Sequence, residues 1–237
     1  MTTPARRVAL ITGAMGGLGS ALVRAFAAEG WSVAAGWHHT APDTLPKAAF
    51  ATPLDVTRAD AATAAVDAVL RRWGRLDVLV NNAGISRDEL LVRTSSNDWD
   101  SVLAVNLKGA FHCCRAVLPA MVQQKEGHIL NIVSFGGRVG RAGQTAYAAS
   151  KAALAGLTRS LAREVGPSGI RVNAVSPGFL RTPMVGHLPP EQLRAHAAEN
   201  VLGRLGDPDE AARCICQIAG FRDTSGQLFQ LDSRIAP

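Results

Sequence analysis

Short unbroken apolar runs alternate along the chain with longer stretches in which apolar residues return every three or four positions. Residues 8–11 form such a run, stopping at Thr12-Gly13, which suits a buried strand. Over 17–29, Leu18, Leu22 and Phe26 recur at helical spacing with Ala21 and Ala25 beside them, and Gly30 stands where a glycine ends a helix. Residues 33–36 and 50–54 read as the next strands, and 61–73 as a helix on Ala65, Val66, Val69, Leu70 and Trp73. A strand over 78–80 breaks at Asn81-Asn82-Ala83-Gly84. A long helix then starts near Ser96 or Asn97 and carries Trp99, Val102, Leu103 and Val105 toward Met121. A strand over 129–133 ends at Ser134, a helix spans 147–165, a strand over 171–175 ends at Ser176-Pro177-Gly178, and 228–231 makes a last short strand.

Strand and helix in alternation predict an α/β fold, a doubly wound Rossmann-like parallel sheet with helices on both faces. In such sheets ligands bind at the carboxyl ends of the strands. The Gly-rich turn after the first strand, the Asn-Asn-Ala-Gly break, Ser134 and the Pro177-Gly178 turn all fall at such ends. With no linker, repeat or low-complexity tract in 237 residues that are 47% apolar, one domain over 1–237 is the expectation.

Charge adds little. Lys+Arg 25 against Asp+Glu 19 gives +6, but the arginines are scattered, with no basic stripe or module of a nucleic-acid binder; attraction to an acidic cofactor or carrier protein accounts for the sign as well. Cys113, Cys114, Cys214 and Cys216 form no C-x-x-C pair and no metal-spaced cluster, which points to buried thiols in a reducing compartment. The N-terminal apolar stretch is too short for a signal peptide, and no run approaches the roughly 20 apolar residues of a membrane helix, so a cytoplasmic protein with no membrane partner is expected.

The chemistry lies elsewhere. Gly13, Gly16, Gly17 and Gly19, with Met15 and Leu18 among them, open the first helix directly after a strand, where a backbone without side chains can approach a pyrophosphate and the helix N-terminus favours it. Tyr147 is the only tyrosine, and Lys151 stands one helical turn on, so the two share a helix face. An ammonium there is expected to favour the phenolate and to lower a pKa ordinarily near ~10. A phenol, an ammonium and the Ser134 hydroxyl can together protonate a carbonyl oxygen as hydride reaches its carbon.

Gly13-x-x-x-Gly17-x-Gly19, Asn-Asn-Ala-Gly, Asn106, Ser134 and Tyr147-x-x-x-Lys151, in this order over nearly the whole chain, resemble the short-chain dehydrogenase/reductase family. The resemblance implies Tyr147 as general acid, Ser134 as the group that positions the carbonyl oxygen, Lys151 as the partner of both phenol and nicotinamide ribose, and Asn106 as support for a water that returns protons to Lys151. It also implies cofactor contacts from Asp55 and Val56 at the adenine, from Asn82, Ala83 and Gly84, and from Pro177, Gly178, Leu180 and Thr182 at the nicotinamide carboxamide. Residues 184–200 would form a mobile lid, with Phe179 and Gln144 facing the substrate. At the end of the second strand, Trp37-His38-His39-Thr40 offers no carboxylate to repel a 2′-phosphate, which favours NADP(H), although the glycine turn lacks the arginine of many NADP-using relatives. Residues 38–47, two of them prolines, leave no room for a helix between the second and third strands.

The segment 86–93, Gly143-Gln144 before the tyrosine and the segment 202–206 are similar to 3-oxoacyl-(acyl-carrier-protein) reductases. This implies NADPH-dependent reduction of a β-ketoacyl thioester, carried on an acidic acyl carrier protein, by a homotetramer that pairs the 97–124 and 147–165 helices. Three positions depart from that pattern. Ala146 replaces an asparagine before the tyrosine, Ser168 replaces one of two basic docking positions of which Lys125 is the other, and Leu231-Asp232-Ser233-Arg234 replaces an Asn-Gly-Gly that helps build the tetramer, leaving a dimer open. The alternatives are a ketoreductase or alcohol dehydrogenase acting on another carbonyl, such as acetoacetyl-CoA or a polyketide, and a dinucleotide-binding sensor without catalysis.

Overall fold

The computed structural model describes residues 6–186 and 188–235; the first residues of the chain and His187 of the expected lid lie outside them. The strands are β1 (Val8–Ile11), β2 (Ser32–Trp37), β3 (Ala49–Pro53), β4 (Val78–Asn81), β5 (Gly127–Ile132), β6 (Ile170–Ser176) and β7 (Leu228–Gln230). They form one parallel sheet in the order β3-β2-β1-β4-β5-β6-β7. The chain winds outward from β1 in one direction and, from β4, in the other. The crevice between β1 and β4 is therefore the switch point at which such sheets take ligands.

Both faces are covered, which is why the strands read as unbroken apolar runs. Successive β1 residues part to opposite sides. Ala9 and Ile11 join a core with α1 (Gly17–Ala28) and, through Ile215 and Ile218, with α8 (Pro208–Ala219). Val8 and Leu10 join another with α2 (Ala59–Trp73) and α4 (Gly109–Gln124), through Val66, Val69, Val117 and Met121. The helix α6 (Thr145–Val165) lies on that second side, with Leu154 buried at 1% exposure. The doubly wound α/β architecture is the one that strand–helix alternation predicts.

Three features differ from the sequence expectations. The long helix is not one regular helix. It runs as α3 (Ser96–Leu103), a π-helical turn over Ala104–Lys108, and α4. The wider turn holds Asn106, whose side chain is taken up by the Ile85 backbone rather than by its own helix. Secondly, α5 (Gly136–Val139), one turn after Ser134, was too short to leave a periodicity. Thirdly, α8 was overlooked although Asp207-Pro208 announces it: the Asp207 carboxylate caps the N–H groups of Asp209 and Glu210, and Pro208 takes the first helical position. As expected, β2 and β3 are joined without a helix. Among the described residues no helix is long and apolar enough to cross a membrane.

Candidate active site

The glycine turn is built against the end of β4. Gly13 has φ +61, and a methyl added there would come within 2.8 Å of the Ala83 Cα, so only glycine serves both demands. The Thr12 hydroxyl accepts from the N–H groups of Asn82 (3.0 Å) and Ala83 (2.9 Å), while the Asn82 amide donates to the carbonyls of Thr12 (3.0 Å) and Gly13 (3.1 Å). These four bonds fix the switch-point crevice. No side chain caps α1, so its first N–H groups remain available to an anion. Leu18 is buried, Met15 packs on the core, and Gly16 is exposed at the turn. Side-chain-free backbone, an uncapped helix N-terminus and a braced crevice fit a dinucleotide pyrophosphate.

At the tip of β2, Trp37 is part-buried and His38 lies 3.5 Å from the Asp55 carboxylate, with the His39 ring 3.9 Å from that of His38. Asp55 loses some solvation, but hydrogen bonds from the Thr57 hydroxyl (2.7 Å) and N–H (2.9 Å), and the nearby His38, hold its carboxyl below the ordinary value. A carboxylate thus does stand near the tip of β2, brought there by β3 and already engaged. Val56 is buried, and its carbonyl accepts from His112 Nδ1 at 3.0 Å.

Ser134, Tyr147 and Lys151 meet just beyond the carboxyl end of β5. The Gly136 N–H donates to Ser134 Oγ at 3.2 Å, which leaves the hydroxyl hydrogen free to point elsewhere. Lys151 is 4% exposed, and its Nζ donates to the Ile132 carbonyl at 2.8 Å. Burial lowers its pKa to about 8. Nζ lies 5.7 Å from the centre of the Tyr147 ring.

The tyrosine shift runs opposite to the expected lowering. Burial raises the phenol pKa and outweighs a hydrogen bond with Ser134; Asp88 raises it further and Arg234 lowers it. Tyr147 therefore rests as a neutral acid.

Asn106, 1% exposed, accepts from the Ile85 N–H (2.8 Å) and donates to the Ile85 carbonyl (2.9 Å) and Ser150 Oγ (3.1 Å). Gly84 lies between this amide and the lysine: an added methyl would stand 3.3 Å from Asn106 Oδ1 and 3.5 Å from Lys151 Nζ. Residues 7–193 match the short chain dehydrogenase family. The chain belongs to the short-chain dehydrogenase family. It is 45% identical over 237 residues to a 3-oxoacyl-[acyl-carrier-protein] reductase FabG of Thermotoga maritima, covering 95% of this chain and 96% of that one. It is 43% identical to the short-chain reductase protein NovJ of Streptomyces niveus, over 93% of this chain and 89% of that one. A FabG of Vibrio cholerae is 39% identical over 90% and 89%.

In this short-chain dehydrogenase the turn after β6, the loop before α6 and residues 232–234 come together beside Ser134 and Phe135. Pro177 and Gly178 open the turn, and Gly178 (φ +99) packs against Asp232. Leu180 is buried and bridges to Gly206, and Thr182 closes onto Gly17, where a methyl on the glycine would come within 2.6 Å of its Cβ. Phe179 stacks on His196 of α7 (Pro190–Ala198), centres 4.1 Å apart. Gln144 lies near Ser134 across Gly136, but its amide donates to Asp88 at 2.7 Å, and the Glu89 N–H donates to the Gly143 carbonyl at 2.8 Å. Asp88 lies in the 86–93 segment, Glu199 in the expected lid and Arg234 in the atypical 231–234 tetrapeptide, but none of these, nor Arg141, was among the expected site residues. Surface grooves of about 240 and 530 Å³ along α6 touch neither Tyr147 nor the glycine turn.

Proposed function

We propose that this oxidoreductase reduces a β-ketoacyl thioester to the 3-hydroxyacyl product with NADPH, as a cytoplasmic homotetramer. The observation that carries the reading is the convergence of a neutral, part-buried phenol, the Ser134 hydroxyl and a buried lysine beside an uncapped glycine turn. The full-length similarity to 3-oxoacyl-[acyl-carrier-protein] reductases supports the substrate class.

Tyr147 donates its proton to the carbonyl oxygen; an acid must hold its proton at working pH and lie within hydrogen-bond reach. Ser134 accepts from Gly136 N–H and turns its own hydrogen to the same oxygen, which orients the carbonyl. When bound on the glycine turn, a nicotinamide dinucleotide supplies the hydride. Lys151 uses one of its hydrogens on Ile132 and keeps the others for the ribose and for returning a proton toward the phenol. Asn106, by gripping Ile85, holds the Gly84 wall against Lys151. Thr182 and Gly178 hold the nicotinamide side, and segment 184–200 covers the substrate.

NADPH over NADH is supported by the histidine-bearing tip of β2 and by the engagement of Asp55 with Thr57 and His38. A second reading, another carbonyl substrate, is favoured by the similarity to NovJ and by the departure at Ser168, beside Lys125, where a methyl on Gly169 would strike the Lys125 carbonyl. One basic docking position is left of two. Steady-state assays with NADPH and NADH on acetoacetyl-CoA, carrier-bound β-ketoesters and simple ketones decide between them. A clear kcat/KM preference for the carrier-bound thioester with NADPH is expected; a preference for simple ketones moves the assignment to the second reading.

A further inference from the structure

The unusual end of the chain carries a cation into the wall of the carbonyl site. Arg234 is 6% exposed. Its guanidinium stacks on Phe135, 4.3 Å from the ring centre and one residue beyond Ser134, and its Nε donates to Asp232, which is itself buried against Gly178. Gln230 grips both Asp232 (2.9 Å) and the Arg234 carbonyl. An arginine that only tethered a tail would keep its head in water. Taking it out of water is costly unless partners compensate.

The same guanidinium faces the far end of α7, with NH1 3.9 Å from Glu199. Glu199 also pairs with Arg141, from the loop between Ser134 and Tyr147, and Arg141 donates to His196 Nδ1 at 2.7 Å. Ser233 accepts from Val201 N–H (3.3 Å, through its carbonyl) and Leu202 N–H (3.2 Å, through its hydroxyl). No residue of α7 is buried. The helix is held at its last turn, by charged and stacking contacts, instead of by a core.

We propose that Arg234 is a positioning residue of the carbonyl site: bridging Phe135 and Glu199, it sets the closed position of segment 184–200 over the substrate. The inference rests on the reading above that this segment covers the substrate. Arg234→Met keeps much of the apolar contact with Phe135 and removes the charge; Glu199→Gln tests the other end on a part-exposed residue that can change without loss of fold. Expected is a rise of about tenfold or more in KM for the carbonyl substrate in Arg234→Met, with NADPH affinity by Trp fluorescence within about twofold and partial rescue in Arg234→Lys. Glu199→Gln should raise KM severalfold, and the double variant should be no worse than Arg234→Met alone.

Unchanged KM in Arg234→Met or Glu199→Gln, or multiplicative effects in the double variant, overturns the proposal; where Arg234→Met does not fold, Glu199→Gln decides. A second readout needs no substrate. With NADP+ bound, trypsin should cut after the exposed Arg194 faster in Glu199→Gln and Arg234→Met than in wild type, and equal rates count against the clamp. Should the wild type reduce none of the β-ketoacyl thioesters, the reaction assigned above fails while this cleavage still judges the clamp.

Discussion

Two clusters of buried polar side chains lie at opposite ends of β5, and they spend their hydrogen-bonding capacity in opposite ways. Toward the amino end, His128 and Asn173 are 0% exposed, and their groups are matched one to one. His128 Nδ1 donates to the Ala219 carbonyl (3.2 Å), and its Nε2 accepts from Asn173 (2.8 Å). The Asn173 amide also donates to the Thr224 carbonyl (2.8 Å), and its oxygen accepts from Gln227 N–H (3.0 Å). At the carboxyl end Lys151 makes one bond to a backbone carbonyl, and Ser134 keeps its hydroxyl hydrogen. Among the described residues the buried side-chain atoms without a partner, Asn81 Oδ1 and Ser176 Oγ, belong to the last residues of β4 and β6, at that same end. A histidine in a polar cluster invites a catalytic reading, yet a saturated network joins elements together. Unspent donors beside a crevice are what a reaction needs.

The largest effect that this contrast predicts is on turnover. Tyr147→Phe removes the acid without emptying space, so kcat should fall at least 10²–10⁴-fold, the usual contribution of general acid catalysis, while the melting temperature moves little. Steady-state rates and a thermal melt on one preparation check both halves. A near wild-type rate would remove the phenol from the mechanism and erase the distinction between the clusters.

Lys151 sharpens the contrast through pH. Its pKa is about 8 in the folded chain against an ordinary 10.5, so below pH 8 the fold carries a buried charge at a cost of about 3 kcal/mol. Between pH 8 and 10.5 the folded lysine sheds its proton before the unfolded one, and wild-type stability rises relative to Lys151→Met by up to that amount. Denaturant melts of both proteins across this window measure the difference, in which the cysteines and Tyr147 cancel. A difference that stays flat with pH would mean that the ammonium is solvated, and the carboxyl end would lose its claim to stored electrostatic cost.

Much of this was legible in the sequence, for reasons that differ by residue. Glycines at 13 and 17, the paired asparagines at 81 and 82, Ser134 and Tyr147-x-x-x-Lys151 can be found because chemistry needs particular residue types just where apolar runs stop. Spacing of i,i+4 says that Tyr147 and Lys151 share a helix face; it does not say how much solvent the phenol loses, and that loss is what turns the tyrosine shift upward. The π turn at Asn106 follows from a backbone partner 21 residues away, which no local periodicity records. Asp88, Glu199 and Arg234 reach the site from loops and the chain end, where sequence carries no period at all. Asn173 reads only as a member of a strand and His128 falls just before the expected strand at 129–133, because their partners lie 45 to 91 residues distant.

The amino-end cluster yields the smallest and most selective effect. His128 is held neutral by burial, its pKa lowered to about 4 from an ordinary 6.5, and protonation at Nε2 would set an N–H against the Asn173 amide. The unfolded chain therefore takes up this proton at higher pH than the folded one. Stability due to the neutral ring is intact above pH 6.5, falls as pH drops from 6.5 to 4, and is fully lost below, a change of up to about 3 kcal/mol. His128→Gln should destabilise the protein near pH 7 and make it less sensitive to acid across that window, so that the two stability curves converge toward pH 4. Because the cluster faces Ala219 and Gln227 and not the crevice, kcat/KM per folded molecule at pH 7 should stay within about twofold of wild type. Urea melts from pH 4 to 7, paired with an assay corrected for folded fraction, separate the outcomes. A variant that keeps its fold but loses turnover would place His128 among the functional groups, and hydrogen-bond saturation would then fail as the property that tells the two ends of the sheet apart.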